Sequence, residues 1–360
     1  MKFLDLFAGI GGFRLGMESA GHECIGFCEI DKFARASYKA IHDTKGEIEL
    51  HDITTVSDES IRGFGSVDVI CGGFPCQAFS IAGNRRGFED TRGTLFFEIA
   101  RFASILRPKY LFLENVKGLL NHENGITFET IISTLDELGY DVEWQVLNSK
   151  DFGVPQNRER VFIIGHFRGE CTRRIFPLSG QSQSISNKSV VKIGNVNPSG
   201  NGMNGEVYQA DGLAPTLTTN KGECQKIAIK SNTIKQFGVL QPNFNQCGVV
   251  YETDSIAPTI RAYQGGGLEP KIIQRGHGYN QGGVHEIAPT LTSNSYHENN
   301  HLSFGYRIRK LTPRECWRLQ GFPDWAFDKA QEVNSNSQLY KQAGNSVTVN
   351  VIAAIAKELE

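Results

Sequence analysis

Few folds accommodate the stretch from Asp68 to Ser80, in which a short apolar run breaks into two glycines and then reaches Cys76. The run has the length and composition of a buried strand, and the glycines followed by Pro75 indicate a turn at its end. Open α/β sheets bind their ligands beyond the carboxyl ends of the strands. We therefore expect Cys76 at that edge of a sheet, as a candidate nucleophile.

The spacing around Cys76 excludes two kinds of cysteine chemistry. A zinc deaminase would place a second cysteine three residues later, where Phe79 stands. A phosphatase loop would place an arginine six residues after the cysteine, where Ala82 stands. A small buried side chain without chemistry is the ordinary alternative for a cysteine. The functional interpretation that remains is a thiolate that attacks an electrophile.

The chain begins with a predicted strand, a glycine turn and a helix. Lys2–Phe7 is apolar, the turn runs from Phe7 to Gly12, and helical spacing begins near Phe13. This is the start of a Rossmann-like unit, although Arg14 occupies the place of the third glycine in the dinucleotide pattern. The turn is thus compatible with a nucleoside-like ligand that is not NAD.

Acidic residues follow three of the predicted strands. Glu29 comes about 20 residues after the glycine turn, where such folds place a carboxylate on ribose hydroxyls. Asp52 is able to accept a hydrogen bond from an adenine amine, and Glu114 ends a strand at the edge predicted to carry Cys76. A helix start or a cap is the alternative for Glu29 and Asp52.

Basic residues accompany the same positions. The segment 81–94 is polar, basic and rich in glycine, which suits a loop that encloses an anionic substrate. Arg158 and Arg160 stand at period two before the strand 161–164, so both side chains are expected to point the same way. An exposed surface loop and a solvated basic turn are the respective alternatives.

Composition divides the chain into three parts. Residues 177–303 are rich in Gly, Asn, Ser, Gln and Thr and show little helical periodicity, whereas both flanks have α/β character. We predict domain segments 1–175, 176–303 and 304–360. The middle part repeats a short pattern that ends in Ala-Pro-Thr at 214–216, 257–259 and 288–290, which we interpret as loops on a small β-rich scaffold.

Charge and cysteine content narrow the class of protein. The net charge of -2 excludes a strongly basic coat but allows a local basic cleft. The eight cysteines show neither zinc spacing nor the density of a small secreted domain, so we expect no metal and a reducing, cytoplasmic compartment. No run approaches the roughly 18 apolar residues that a membrane span needs.

Six motifs, taken in order, resemble the DNA (cytosine-5)-methyltransferases of bacterial or phage restriction-modification type. They are Asp-Leu-Phe-Ala-Gly-Ile-Gly-Gly from Asp5, Gly-Phe-Pro-Cys-Gln from Gly73, Glu-Asn-Val from Glu114, Gln-Asn-Arg-Glu-Arg from Gln156, Arg-Lys-Leu-Thr-Pro-Arg-Glu-Cys from Arg309 and Gly-Asn-Ser-Val from Gly344. The resemblance implies an α/β fold with a doubly wound, mostly parallel sheet of the S-adenosylmethionine-dependent methyltransferase kind, and an inserted small, irregular β-rich domain for target recognition.

The resemblance also implies the chemistry. A methyl group would pass from S-adenosylmethionine to C5 of a cytosine flipped out of duplex DNA, while the Cys76 sulfur is bonded to C6. Glu114 would bind N3 and the exocyclic amine, and Arg160, supported by Arg158, would hold O2. The implied cofactor-binding residues are Phe7, Gly9, Gly11, Glu29, Ile30, Asp52, Ile53, Pro75, Leu95, Asn345 and Ser346. The implied DNA-binding residues are Ser80, Arg92, Gln246 and Thr259.

Several alternatives stay open at this stage. An RNA (cytosine-5)-methyltransferase or a small-molecule methyltransferase would share the cofactor half, although the long middle segment disfavours the latter. We expect double-stranded DNA as the partner, a monomer, and a cognate restriction endonuclease that acts on the same site without a stable complex. One target sequence is favoured over several, because three repeats within about 100 residues leave each module very small.

Overall fold

The structure, a computed structural model, describes eleven stretches of the chain. They are residues 1–75, 95–180, 189–195, 205–217, 226–230, 236–239, 249–251, 272–274, 283–285, 300–301 and 306–360. The chain divides into two compact units. The first comprises Met1–Val190, Gly212–Cys224 and Thr312–Glu360, and the second comprises Val191–Asp211 and Gln225–Leu311. The predicted division at residues 176 and 303 remains a prediction.

Seven strands form the central sheet of the first unit. They are β1 (Lys2–Leu6), β2 (Glu23–Cys28), β3 (Ile48–Leu50), β4 (Val69–Gly73), β5 (Tyr110–Val116), β6 (Tyr140–Asn148) and β7 (Glu159–Phe167). Their order is β3-β2-β1-β4-β5-β7-β6. Every neighbouring pair from β3 to β5 is parallel, and β7 is antiparallel to both of its neighbours. The predicted doubly wound, mostly parallel sheet is thus confirmed.

Nine helices of the first unit are described. They are α1 (Gly12–Ser19), α2 (Lys32–Ile41), α3 (Asp58–Arg62), α4 (Leu95–Leu106), α5 (Ile126–Glu137), α6 (Pro313–Leu319), α7 (Asp324–Val333), α8 (Asn336–Asn345) and α9 (Val349–Ala356). Short 3-10 turns lie at Ile53–Thr55, Lys117–Gly125 and Ser149–Phe152. The bounds of α4 agree with its apolar spacing and with Pro108 as a stop signal. No sequence motif predicted α7 or α8.

Both faces of the central sheet are buried, as expected when helices cover a parallel sheet on each side. Alternate residues of one strand enter two different cores. Leu4 and Leu6 of β1 lie in a core that includes Phe102 of α4. Phe3 of the same strand lies in the other core, together with Ile352 of α9.

The C-terminal helix completes the second of these layers through a close contact with α1. A methyl group built on Gly16 would lie 2.6 Å from Cβ of Ile352. Only a residue without a side chain allows the two helices to approach this closely. This packing brings the segment before α9 towards the first turn of α1.

The second unit is β-rich, as predicted. One sheet has the order β16 (Tyr306–Lys310), β10 (Lys226–Lys230), β9 (Glu206–Gln209), β8 (Lys192–Asn195). Two smaller sheets pair β11 (Gln236–Val239) with β12 (Val249–Tyr251), and β13 (Ile272–Gln274) with both β14 (Gly283–His285) and β15 (Asn300–His301). Each Ala-Pro-Thr copy is preceded in the sequence by a valine, at 207, 250 and 284, and all three valines fall within a strand.

The first Ala-Pro-Thr repeat belongs to the first unit. The Ala214 N–H donates to the Pro155 carbonyl at 2.9 Å, and the Asn157 N–H donates to the Ala214 carbonyl at 2.8 Å. The other two copies of the tripeptide, at 257–259 and 288–290, lie outside the described residues.

Candidate active site

The glycine turn after β1 holds the chain in a left-handed conformation. Phe7, Gly9 and Gly11 have φ angles of 56°, 57° and 85°, a region that glycine enters at little cost. The Gly9 N–H donates to Oε2 of Glu29 at 2.8 Å. A methyl group built on Gly9 would meet no described heavy atom within 4 Å. At Gly9 the backbone therefore lies beside a carboxylate with no described atom over it.

Glu29 is fixed by the main chain at both of its oxygens. Its Oε1 accepts a hydrogen bond of 2.7 Å from the Asp31 N–H, while Oε2 accepts the one from Gly9. Burial raises the pKa of the Glu29 carboxyl, and the two backbone hydrogen bonds oppose that effect. The neighbouring Ile30 exposes 69% of its surface. A held carboxylate and an exposed apolar side chain thus stand together next to the open turn.

Asp52 occupies the cap position that the sequence left open as an alternative. Its Oδ1 accepts hydrogen bonds from the Thr54 N–H at 3.0 Å and the Thr54 hydroxyl at 2.7 Å. These bonds lower the pKa of the Asp52 carboxyl. The side chain of Ile53 lies in the core, so only its main chain is available to a ligand. A contact of Asp52 with adenine remains a prediction.

Glu114 and Arg160 form an ion pair at the carboxyl end of β5. The Nε of Arg160 lies 3.0 Å from Oε1 of Glu114, and the side chains expose only 16% and 10% of their surface. Burial raises the pKa of Glu114, whereas the positive charges of Arg160 and Arg158 lower it. The antiparallel pairing of β5 with β7 sets Val116 opposite Arg160 in register. Glu114, two residues before Val116, therefore lies on the same face of the sheet as Arg160.

The end of β4 lies directly beside Glu114. Gly73 and Glu114 are register partners, and a methyl group built on Gly73 would be 3.3 Å from Oε2 of Glu114. The side-chain amide of Asn115 donates to the Phe74 carbonyl at 2.9 Å. Pro75, which is exposed, is the last described residue before the segment that contains Cys76. The chain therefore departs towards Cys76 from a point next to the ion pair.

Five candidate residues lie outside the part of the chain that the structure describes. They are Cys76, Ser80, Arg92, Gln246 and Thr259. Leu95 is described as the first residue of α4 and is packed against the core. The roles of all six remain predictions.

Arg158 has contacts that the sequence did not indicate. It is 3% exposed. Its Nη2 donates to the carbonyls of Ser346 at 2.8 Å and Gly344 at 3.1 Å, and its Nη1 donates to Leu217 at 3.4 Å. Burial lowers the pKa of this guanidinium to about 9, and the nearby charge of Arg160 contributes. The expectation that Arg158 supports Arg160 remains a prediction.

The loop at the end of α8 approaches both the glycine turn and β4. A methyl group built on Gly12 would lie 2.9 Å from Oγ of Ser346, and one built on Gly73 would lie 3.7 Å from Cγ1 of Val347. Ser346 is buried and Asn345 is exposed. Motif residues distant in the sequence thus meet at one edge of the sheet.

Buried polar residues that the sequence did not single out support this edge. Asn115, Gln320 and Thr348 are each at most 3% exposed. Asn115 belongs to the Glu-Asn-Val motif and Thr348 follows the Gly-Asn-Ser-Val motif, so motif membership was the available signal. Gln320 offered no signal, because a polar residue near a helix end is usually solvated.

The described residues include no group of three or more His, Cys, Asp or Glu side chains suited to a metal ion. Within the same residues, no helix has the length and apolar character to cross a membrane.

Comparison with known proteins identifies relatives over the whole length. The sequence model of the family described as C-5 cytosine-specific DNA methylase matches residues 1–360. The orphan methyltransferase M.SPRI of Bacillus phage SPR is 36% identical, over 100% of this chain and 97% of that protein. The type II methyltransferase M.HhaI of Haemophilus parahaemolyticus is 37% identical, over 99% and 93%. The Dnmt2 methyltransferase of S. pombe shares the fold, with a TM-score of 0.59 at 18% identity over 98% and 96% of the two chains.

Proposed function

The chain belongs to the family of C-5 cytosine-specific DNA methylases, and from this premise we propose that Cys76, Glu114 and Arg160 together act on a cytosine flipped out of duplex DNA. The enzyme is a DNA (cytosine-5)-methyltransferase that uses S-adenosylmethionine. One observation carries the assignment of residues. The Glu114–Arg160 ion pair stands beside Gly73, where the chain departs towards Cys76.

Cys76 is proposed to start the reaction. C5 of cytosine is a poor nucleophile, so the thiolate adds to C6 and turns C5 into an enamine-like carbon. S-adenosylmethionine supplies an electrophilic methyl group bound to a sulfonium. After C5 has taken the methyl group, a base removes the C5 proton and the bond between Cys76 and C6 breaks. The nucleophile is thereby regenerated.

Glu114 and Arg160 are proposed to hold the base during the attack. Burial raises the pKa of Glu114 and so favours its protonated form relative to that of an exposed glutamate. A protonated carboxyl is able to donate to N3 as negative charge develops there. The Arg160 guanidinium is proposed to donate hydrogen bonds to O2 of the cytosine. Such donors stabilise the transition state because they are already in place.

The described residues fit an adenosyl cofactor. The open backbone at Gly9 permits a ligand to approach closely, and the Glu29 carboxylate is able to accept hydrogen bonds from ribose hydroxyls. The exposed Ile30 offers apolar contact to a purine ring. We propose that Phe7, Gly11, Asp52, Ile53, Pro75, Leu95, Asn345 and Ser346 complete this site.

The second unit is proposed to contribute target recognition. DNA is the expected substrate of this family, and Gln246, Thr259, Ser80 and Arg92 are the residues proposed to contact it. We further propose that the enzyme acts as a monomer in the cytoplasm, and that a cognate restriction endonuclease acts on the same sequence without forming a stable complex.

Two measurements test the proposal. Expression in a host that lacks cytosine methylation, followed by bisulfite sequencing, should show methylated cytosines within a short motif. The Cys76→Ser variant should show none. Transfer of tritiated methyl groups from S-adenosylmethionine to duplex DNA and to tRNA supplies the second test. Labelled tRNA with unlabelled DNA would contradict the proposal and favour the RNA enzyme.

A further inference from the structure

We infer that Arg158 is a positioning residue that fastens the α8–α9 loop, defined as residues 343–348 and thus including the last turn of α8, to the start of β7. The cofactor-binding residues thereby keep a fixed place relative to Glu114 and Arg160. The inference rests on the proposed function, because it assigns a role within the same site. It differs from the expectation that Arg158 assists the contact with cytosine.

The Arg158 guanidinium joins segments that are distant in the sequence. Its hydrogen bonds to Gly344 and Ser346 span 186 and 188 residues, and its bond to Leu217 spans 59. A guanidinium holds several donors in one rigid plane and is able to bind three carbonyls at once. At 3% exposure it lies inside the unit rather than on a surface open to a base.

The same loop is held from a second side by uncharged groups. The Thr348 hydroxyl lies 2.8 Å from that of Ser149 and donates to Oε1 of Gln320 at 3.1 Å. The Gln320 amide donates to the Ala343 carbonyl at 2.8 Å. The Ser149 N–H donates to the Arg158 carbonyl at 3.0 Å. The main chain and the side chain of Arg158 are therefore both linked to this loop.

Two residues of the loop contact the cofactor-binding part and the base-binding part of the proposed site. Ser346 lies against Gly12, in the first turn of α1, and Val347 lies against Gly73, which also adjoins Glu114. The contact at Gly12 is tight, since a methyl group there would lie 2.8 Å from Cγ2 of Val347 and 2.9 Å from Oγ of Ser346, whereas the contact at Gly73 has an ordinary van der Waals distance. The first turn of α1 therefore has little room if the loop moves. A displaced loop would consequently disturb cofactor binding before any DNA is bound.

Cofactor affinity in the absence of DNA therefore distinguishes a positioning role of Arg158 from contact with the base. Replacing a residue that only contacts cytosine should leave cofactor affinity unchanged in the absence of DNA. Replacing a residue that positions the loop should weaken cofactor affinity under the same conditions. S-adenosylhomocysteine, the product of methyl transfer, is a suitable probe because it binds without turnover.

The experiment compares the full-length parent with Arg158→Met and Arg158→Lys. Calorimetry with S-adenosylhomocysteine and without DNA should show affinity weakened by about tenfold in Arg158→Met, the usual scale for losing hydrogen bonds to a charged group. Arg158→Lys should fall nearly as far, because one ammonium cannot reach Leu217 and Ser346 together. In steady-state methyl transfer, KM for S-adenosylmethionine should rise in the same proportion.

Thr348→Val supplies a matched variant that loosens the loop without removing a charge. It should also weaken binding of S-adenosylhomocysteine, and its combination with Arg158→Met should weaken it by less than the product of the two single effects. Should Arg158→Met not fold, Arg158→Lys and Thr348→Val carry the test. Thermal unfolding of each variant shows whether it is folded.

Two results would overturn the inference. One is S-adenosylhomocysteine affinity within about twofold of the parent in both Arg158 variants, accompanied by loss of methyl transfer, which would indicate contact with the base. The other is near-normal affinity in Arg158→Lys alone, which would show that charge rather than geometry matters. A parent protein that binds no S-adenosylhomocysteine would contradict the proposed function instead.

Discussion

Glu114 on β5 and Gly73 on β4 are register partners in the central sheet, and a methyl group built on Gly73 would lie 3.3 Å from Oε2 of Glu114. The parallel pairing of two buried strands therefore sets the distance between a proposed base-binding carboxyl and the start of the segment that carries Cys76. A side chain at position 73 would push against that carboxyl.

Gly73→Ala tests this relationship. The added methyl group should displace Glu114 by a few tenths of an ångström and lower the rate of methyl transfer by about tenfold, since small misplacements of reacting groups are costly. Affinity for S-adenosylhomocysteine should change little. Gly118→Ala is the control, because a methyl group there would meet no described heavy atom within 4 Å. Equal rates for the two variants would contradict the prediction.

Cys76→Ser should abolish methyl transfer and leave cofactor binding nearly intact. A serine hydroxyl at neutral pH is a far weaker nucleophile than a thiolate. Tritium transfer to duplex DNA measures the first effect and calorimetry with S-adenosylhomocysteine the second. Cys171→Ser, at an exposed cysteine, is the matched control. Substantial turnover by Cys76→Ser would rule out the covalent mechanism.

Glu29→Ala should weaken cofactor binding, because the carboxylate is lost from the open side of the glycine turn. We expect a loss of about 1.5 to 3 kcal/mol, the range for hydrogen bonds to a charged group. Calorimetry with S-adenosylhomocysteine measures it, and Glu49→Ala on β3 should bind as the parent does. Since Glu29 also accepts the Gly9 and Asp31 N–H groups, thermal unfolding must accompany the measurement. Unchanged affinity would remove Glu29 from the site.

Asp5→Asn should make the stability of the protein less dependent on pH. Asp5 is fully buried on β1, and burial raises its pKa from 3.8 to about 8. The folded state therefore binds this proton more tightly than the unfolded chain does. Stability from this group is fully present below pH 3.8 and is lost as the pH rises towards 8, by up to about 1.4 kcal/mol per pH unit.

Urea denaturation between pH 5 and pH 8 measures the effect. Relative to the parent, Asp5→Asn should gain stability steadily over this range. Tyr38→Phe is the control within the same cluster, because it removes the hydroxyl 3.4 Å from Oδ2 of Asp5 but keeps the carboxyl. It should retain a pH dependence at least as steep as that of the parent, because the hydrogen bond from Tyr38 lowers the pKa of Asp5 and its loss leaves that pKa higher still. A parallel course of the Asp5→Asn and parent curves would show that Asp5 does not titrate in this range.

Local patterns in the sequence were enough to predict the elements that deliver the site. Apolar runs of strand length, glycine turns and stop signals such as Pro108 are read over a few residues, so β1, β4, β5 and α4 were predictable. The order of the motifs also indicated the family and the edge of the sheet where Glu29 and Glu114 stand. These properties depend on hydrophobic periodicity and backbone preference, which each stretch of chain carries within itself.

Long-range packing decided the rest. The bond from Arg158 to Ser346 spans 188 residues, and period-two spacing gave no hint that this side chain turns inwards to carbonyl groups. Residues 212–217 belong to the first unit, where Ala214 exchanges backbone hydrogen bonds with Pro155 and Asn157, and no local pattern indicated these contacts. Asp5 became a buried acid with a raised pKa because folding removes it from water, and the opposing effects of Arg14 and Tyr38 come from residues distant in the sequence. Burial and desolvation arise when distant elements come together, and they change the chemistry of a side chain without any change in its neighbours along the sequence.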